Sequence, residues 1–334
     1  MTRKSLAEIA FMLVLTLVLA ACGGGNDKGK DKVGEGEKGK DYGVKVIRIA
    51  TGGTGGTYYP LGGDFANFIK KATGIETNAI TSSASTENME LIKKGKAEIA
   101  FTQMDIATYA IEGTKMFKEK VDNIEGMGVL YPEAIQLVTT EKSGIHSVAD
   151  LKGKNVSVGE SESGTLANAE QILEMYGMSL DDVKASDLSF DDSMAGMQDG
   201  TIDAAFITAT TPTGAVEGLA ATDKVTIVPI DHDKIAALIK KYPYYSKETI
   251  KKGTYDAKND IHTVAVQAML VVNSDLSDDL VYEMTKAIYE NTDKIGHEKG
   301  KQISAKHALD RMTIELHPGA KKYFDEKGIS AETK

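Results

Sequence analysis

An internal match without gaps constrains the fold of this chain more than any other feature. The segment Ala50-Thr-Gly-Gly-Thr-Gly-Gly-Thr57 aligns on Val158-Gly-Glu-Ser-Glu-Ser-Gly-Thr165, each following a β-rich stretch and each closing on Gly-Thr ahead of a helix. Farther on, Gly95-Lys-Ala-Glu-Ile-Ala-Phe101 aligns on Gly200-Thr-Ile-Asp-Ala-Ala-Phe206, in both cases a helix-terminating glycine before a buried strand. The two offsets nearly agree, so the chain reads as two units on one plan. Within the first unit the pattern predicts strands over Val46–Ala50, Glu76–Ile80 and Glu98–Thr102, with helices over Phe65–Lys71 and Glu87–Lys94. Strands alternating with helices predict parallel sheets in an α/β fold. Thr263–Asn273 reads as a further Val-rich strand. Asp278–Asp293 reads as a helix with Leu280, Val281, Met284, Ala287 and Ile288 on its apolar side. The first unit thus resumes after the second, with crossings expected near Leu130 and Val264. Lobe I is expected over 44–130 and 265–334, and lobe II over 131–264, with a ligand cleft where strand ends meet helix starts.

The N-terminus points outside the cytoplasm. Arg3 and Lys4 precede an apolar run from Ile9 to Leu19, which is too short to span a bilayer, and Leu19-Ala-Ala-Cys22 follows. The one cysteine of the chain stands at the cut, in the pattern of a bacterial lipidation box. Residues 1–21 are therefore expected to be a lipoprotein signal, Cys22 the lipid-bearing residue, and 22–43 a flexible tether of Gly, Lys, Asp, Glu and Asn. A net charge of −10 argues against nucleic acid and anionic membrane surfaces as electrostatic partners.

The candidate ligand groups are hydroxyls and helix starts. The Thr51–Tyr59 loop leads into a helix whose free N–H groups would attract an anion, and it has neither Gly-Lys-Ser/Thr nor Gly-x-Gly-x-x-Gly. Ser161, Ser163, Gly164 and Thr165 do the same from the facing unit. Thr81–Asn88 offers a third hydroxyl-rich helix start, where Ser85 either caps the helix or touches ligand. Gln103 and Asp105 follow one buried strand and Thr208–Pro212 the other. No zincin, nucleophile-elbow or EF-hand motif is present, and His146, His232, His262, His297, His307 and His317 are scattered, so neither enzyme, metal nor cofactor is expected. Arginine after the signal occurs only at Arg48 and Arg311, which leaves few candidates for a carboxylate clamp. An amino group could meet Asp105, Glu160 or Glu162.

An ordered set of motifs carries a family resemblance: Thr51-Gly-Gly-Thr-Gly-Gly-Thr-Tyr-Tyr-Pro60, Gln103-Met-Asp105, Tyr131-Pro-Glu133, Asp150-Leu-Lys-Gly-Lys154, Asp199-Gly-Thr-Ile-Asp-Ala204, Val281-Tyr-Glu-Met-Thr-Lys286 and His317-Pro-Gly-Ala320. Together they resemble the TAXI family, solute receptors of TRAP transporters, from about Val46 to about Gly328. The resemblance implies a two-lobed periplasmic-binding-protein type II fold that closes on a small amino or organic acid such as glutamate, glutamine or 2-oxoglutarate. It implies a TRAP membrane permease as partner and a monomeric receptor. It places binding on Gly53, Thr54, Thr57, Tyr58, Ser85, Asn88, Gln103, Ser163, Gly164, Thr165 and Thr208. Ala84, Met104, Gln136 and Glu162 depart from the family pattern and put glutamate specificity in question. A receptor of an ABC importer, a surface enzyme, and an adhesin or sensor are the competing readings.

Overall fold

A computed structural model describes residues 40–330; the expected signal, Cys22 and nearly all of the tether lie outside the described residues. The first unit opens with β1 (Val46–Ala50), α1 (Tyr58–Thr73), β2 (Glu76–Ile80), α2 (Ser85–Lys93), β3 (Ile99–Gln103) and α3 (Met104–Glu112). The long strand β4 (Ile124–Thr140) leads into β5 (Asn155–Ser157), α4 (Gly164–Met175), β6 (Lys184–Ser186), α5 (Phe190–Gln198), β7 (Ala204–Ala209) and α6 (Gly214–Ala220). Next come β8 (Val225–Val228), α7 (His232–Lys241), β9 (Ser246–Ile250) and β10 (Ile261–Asn273). The chain then closes with α8 (Asp278–Tyr289) and α9 (Pro318–Glu326).

Helix α1 starts seven residues before the expected Phe65. Gly62 and Gly63 lower helix propensity there and hide the apolar stripe of Tyr58, Leu61, Phe65 and Ile69, which is buried against the sheet. Gly62 is required by close approach, since a Cβ there would stand 2.5 Å from Cγ2 of Thr51. The helix stops at Gly74, whose φ of 75° lets its N–H reach the Lys70 carbonyl. Helix α8 likewise ends at Tyr289, short of the expected Asp293, and the chain passes into a 3-10 turn over Thr292–Lys294.

The strands form one mixed sheet in the order β2-β1-β3-β10-β4-β7-β5-β6, with β8 also on β4 and β9 also on β10. The flanks β2-β1-β3 and β7-β5-β6 are parallel as expected. The centre is not, because β10 runs antiparallel to β3 and β4, and β4 runs antiparallel to β7. Reading βαβ alternation alone missed this, since β4 and β10 are the two strands that pass from one flank to the other. Both are almost wholly buried, so the crossings are continuous strand.

Core packing changes partners part-way along these two strands. Met127, Leu130 and Tyr131 of β4 pack with β1, α1, α8 and α9, whereas Ile135 and Leu137 pack with β5, α4 and α7. On β10, Ala268 and Leu270 belong to the first core and Val264 and Val266 to the second. Between the cores the ladder slips by one residue: Tyr131 faces Ala268 and Val129 faces Met269, leaving Leu130 without a partner. Such a bulge bends its strand and increases its twist. The result is two lobes, each with apolar clusters on both faces of the sheet, and with strand ends and helix starts facing one another between them.

Candidate functional site

A cavity of about 40 Å³ lies between the lobes, room for a few water-sized positions. From the first lobe it takes the β1–α1 loop, the start of α2, the end of β3 and Glu133 of β4. From the second it takes the loop before α4, the α4 N-terminus, Phe190 and Thr208. Most of the expected ligand residues meet here: Gly53, Thr57, Tyr58, Ser85, Gln103, Ser163, Gly164, Thr165 and Thr208 all line it.

Two do not. Thr54 sits in a neighbouring depression and donates to Asp191 at 3.1 Å. Asn88 is fully buried behind the wall, its amide donating to the carbonyls of Thr51 and Phe101 at 2.7 Å each. It ties the end of β1 to β3 and so positions the loop without touching the cavity. Ser85 does not cap α2, because the cap position falls on Ala84. The Ser85 hydroxyl instead accepts the backbone N–H of Gln103 at 3.1 Å. The first N–H groups of α2 are not open to an anion either, since those of Thr86 and Glu87 both donate to the Glu162 carbonyl of the second lobe at 3.1 Å. Ser163 does cap α4, accepting from the Leu166 N–H at 3.1 Å.

Further contacts hold the lobes together. The Thr57 and Thr210 hydroxyls are 2.8 Å apart, and the Ala215 N–H donates to the Gly55 carbonyl at 3.1 Å. The lobes therefore stand closed over the cavity.

Glu133 is the residue that the sequence reading missed. Its carboxylate is 2% exposed and accepts the Tyr58 hydroxyl at 2.7 Å. Burial pushes it up to about 8, opposed by the Tyr58 hydrogen bond and reinforced by the charge of Asp105. A lone acid two residues into an apolar run, at Tyr131-Pro-Glu133-Ala-Ile, was the available signal. Phe190 also lines the cavity, and nothing in the sequence marks it out.

The other acids separate. Glu160 lines the cavity and is raised by burial and by the charges of Glu87 and Asp192. Glu162 faces the outer surface beside Ser161. Asp105 is fully buried behind the cavity; neither of its oxygens has a partner of hydrogen-bond geometry, and burial lifts it to about 7 despite the N–H groups of Ile106 and Asp105. Arg48 points away from the cleft into an ion pair with Glu98 at 2.5 Å. No lysine, arginine or histidine is among the described residues lining the cavity. Nor do three or more His, Cys, Asp or Glu side chains among the described residues gather as a metal site.

Residues 49–328 match the model of the NMT1-like family. The chain belongs to the NMT1-like family. Its fold is shared with solved structures at low identity. A protein of Bordetella bronchiseptica RB50 is 16% identical with a TM-score of 0.55, the match covering 86% of this chain and 84% of that one. PhnD1 from Prochlorococcus marinus MIT 9301, solved in complex with methylphosphonate, is 13% identical with a TM-score of 0.52, over 78% and 88% of the two chains. At these identities the likeness is one of fold. For this NMT1-like protein the chemistry has to be read from the cavity itself. No described helix is long and apolar enough to cross a membrane.

Proposed function

We propose that this protein is an extracytoplasmic solute receptor that closes its two lobes on a small amino or organic acid and delivers it to a TRAP-type membrane permease. One observation carries the binding role: a cavity at the lobe junction, walled by groups of both lobes and by the N-terminus of α4. Only the closed form completes that set, so ligand would stabilise closure. The free N–H groups at the α4 start suit a carboxylate, and the cavity size suits a small solute. The ordered TAXI-like motifs support the TRAP assignment. We place Cys22 as a lipid anchor that keeps a monomeric receptor near its permease, so that Cys22→Ala would release it without changing affinity.

The test is thermal unfolding against a panel of amino acids, dicarboxylates and oxoacids. A true ligand at 100 times its Kd adds about 3 kcal/mol of stability. A panel that shifts nothing sinks the reading. Fold likeness to PhnD1 favours a second reading, an anion receptor of another importer class. Uptake into vesicles driven by an ion gradient, as against ATP, separates the two transport routes.

A further inference from the structure

The direction of the hydrogen bonds around the cavity defines what can enter it. Tyr58 commits its hydroxyl proton to Glu133 at 2.7 Å, so its oxygen offers the cavity only lone pairs. Thr208 commits its proton to Oδ1 of Asn168 at 2.9 Å. That orientation is enforced from behind: Asn168 spends its amide N–H on the Tyr245 hydroxyl at 2.9 Å, and Tyr245 donates in turn to Gln171 at 2.7 Å. Thr208 therefore also faces the cavity as an acceptor. Gln103 is 3% exposed and its Oε1 has no partner.

To these is added the Glu133 carboxylate, buried with no cation beside it. A buried carboxylate without a counter-charge is strongly disfavoured until a cation or a proton arrives. Once ionised, Glu133 gives the corner an anionic acceptor beside the lone pairs of Tyr58 and Thr208, and what complements it is a compact cationic group that is all donors. A second carboxylate placed there would meet both like charge and lone pairs.

We propose that the corner formed by Glu133, Tyr58 and Thr208 seats a primary ammonium group, so that the solute is an amine-bearing zwitterion and not a dicarboxylate or an oxoacid. The inference rests on the receptor reading above and narrows it. The ammonium lies against Glu133 while the carboxylate meets the N–H groups of Gly164 and Thr165. Glu133 then discriminates between solutes that share a carbon skeleton.

The test compares matched pairs by calorimetry on the intact protein: L-glutamate against 2-oxoglutarate and glutarate, and L-alanine against pyruvate. The amine-bearing member of a binding pair should bind on the order of 100-fold tighter than its partner. In Glu133→Gln, which keeps an oxygen for the Tyr58 hydroxyl, that gap should shrink to about 10-fold or less. The melting temperature of the unliganded variant should stay at or above that of the wild type. Oxoacids or dicarboxylates binding as tightly as their amines would overturn the proposal, as would an unchanged gap in Glu133→Gln. If no member of any pair binds, the receptor reading itself fails and the ammonium site with it.

Discussion

Gln103 and Gly164 meet across the lobe boundary so closely that a Cβ on Gly164 would stand 2.5 Å from Cδ of Gln103 and 2.6 Å from its amide nitrogen and oxygen, and the Gln103 side chain would have to swing aside to admit it. The backbone of Gln103 is held there by its position at the end of β3 and by the hydrogen bond of its N–H to Ser85, while the side-chain oxygen has no partner. Glycine at this first position of α4 thus serves the close approach of the lobes and not helix formation, since alanine is the better helix former.

Gly164→Ala should therefore hold the lobes apart while leaving each one folded. Affinity for the solute should fall on the order of 10- to 100-fold, with little change in unliganded melting. Scattering in the presence of saturating solute should show a larger radius of gyration than the wild type. Full affinity in this variant would mean that the closed contact is dispensable.

Ala84 carries strain. Its φ of 75° with ψ of −137° lies where a side chain is disfavoured, at the entry to α2 and facing Gly52. Ala84→Gly should stabilise the protein by about 1 kcal/mol in urea unfolding, after allowance for the greater freedom of glycine in the unfolded chain. Loss of stability would show that the methyl contact with the Gly52 backbone outweighs the strain.

Asp105 makes stability depend on pH. Its carboxyl is raised from 3.8 to about 7 on folding, so between those values the folded protein binds the proton that the unfolded chain releases. Stability is then full below about pH 4, falls as pH rises through 7, and is level above. Asp105→Asn should remove this part of the slope and raise stability at pH 8 by roughly 2–4 kcal/mol. Glu133, raised from 4.5 to about 8, contributes a slope of the same sign that the variant keeps. Equal pH profiles of variant and wild type in denaturant unfolding would contradict the assignment.

Glu133 should also give ligand binding its own pH dependence. An ammonium requires the ionised carboxylate, which the unliganded protein holds protonated below about pH 8. Affinity for an amine-bearing solute should rise by up to about tenfold per pH unit from 6 to 8 and then level. Binding should release a proton to the buffer, measurable as a buffer-dependent enthalpy. In Glu133→Gln the profile should be flat; an affinity that falls with rising pH in the wild type would point to an anion in that corner.

The repeat and the residue types of the cleft are legible in the amino-acid order alone. Gly-Thr ahead of a helix in two places, and a glycine before a buried strand in two more, put Gly53, Thr57, Ser163, Gly164 and Thr165 on facing loops. These are local signals, turn glycines and cap hydroxyls, and such signals survive without knowledge of tertiary contacts. They do not tell which side of a wall a residue occupies. Asn88 and Ser85 carry the same polar character as Thr165, yet Asn88 is spent on the carbonyls of Thr51 and Phe101, and Ser85 is tied to the backbone of Gln103.

The direction of the central strands and the electrostatics of the site are set by contacts made in the folded chain. The antiparallel course of β4 and β10 follows from their passage between two cores, a relation between residues more than a hundred positions apart. Asp105 and Glu133 look alike as single acids in apolar surroundings. One is sealed behind the cavity and the other forms its wall, because β3 ends before Asp105 while β4 carries Glu133 past the lobe junction beneath the hydroxyl of Tyr58. Burial and neighbours set the charge of such a group, and both are properties of the folded chain.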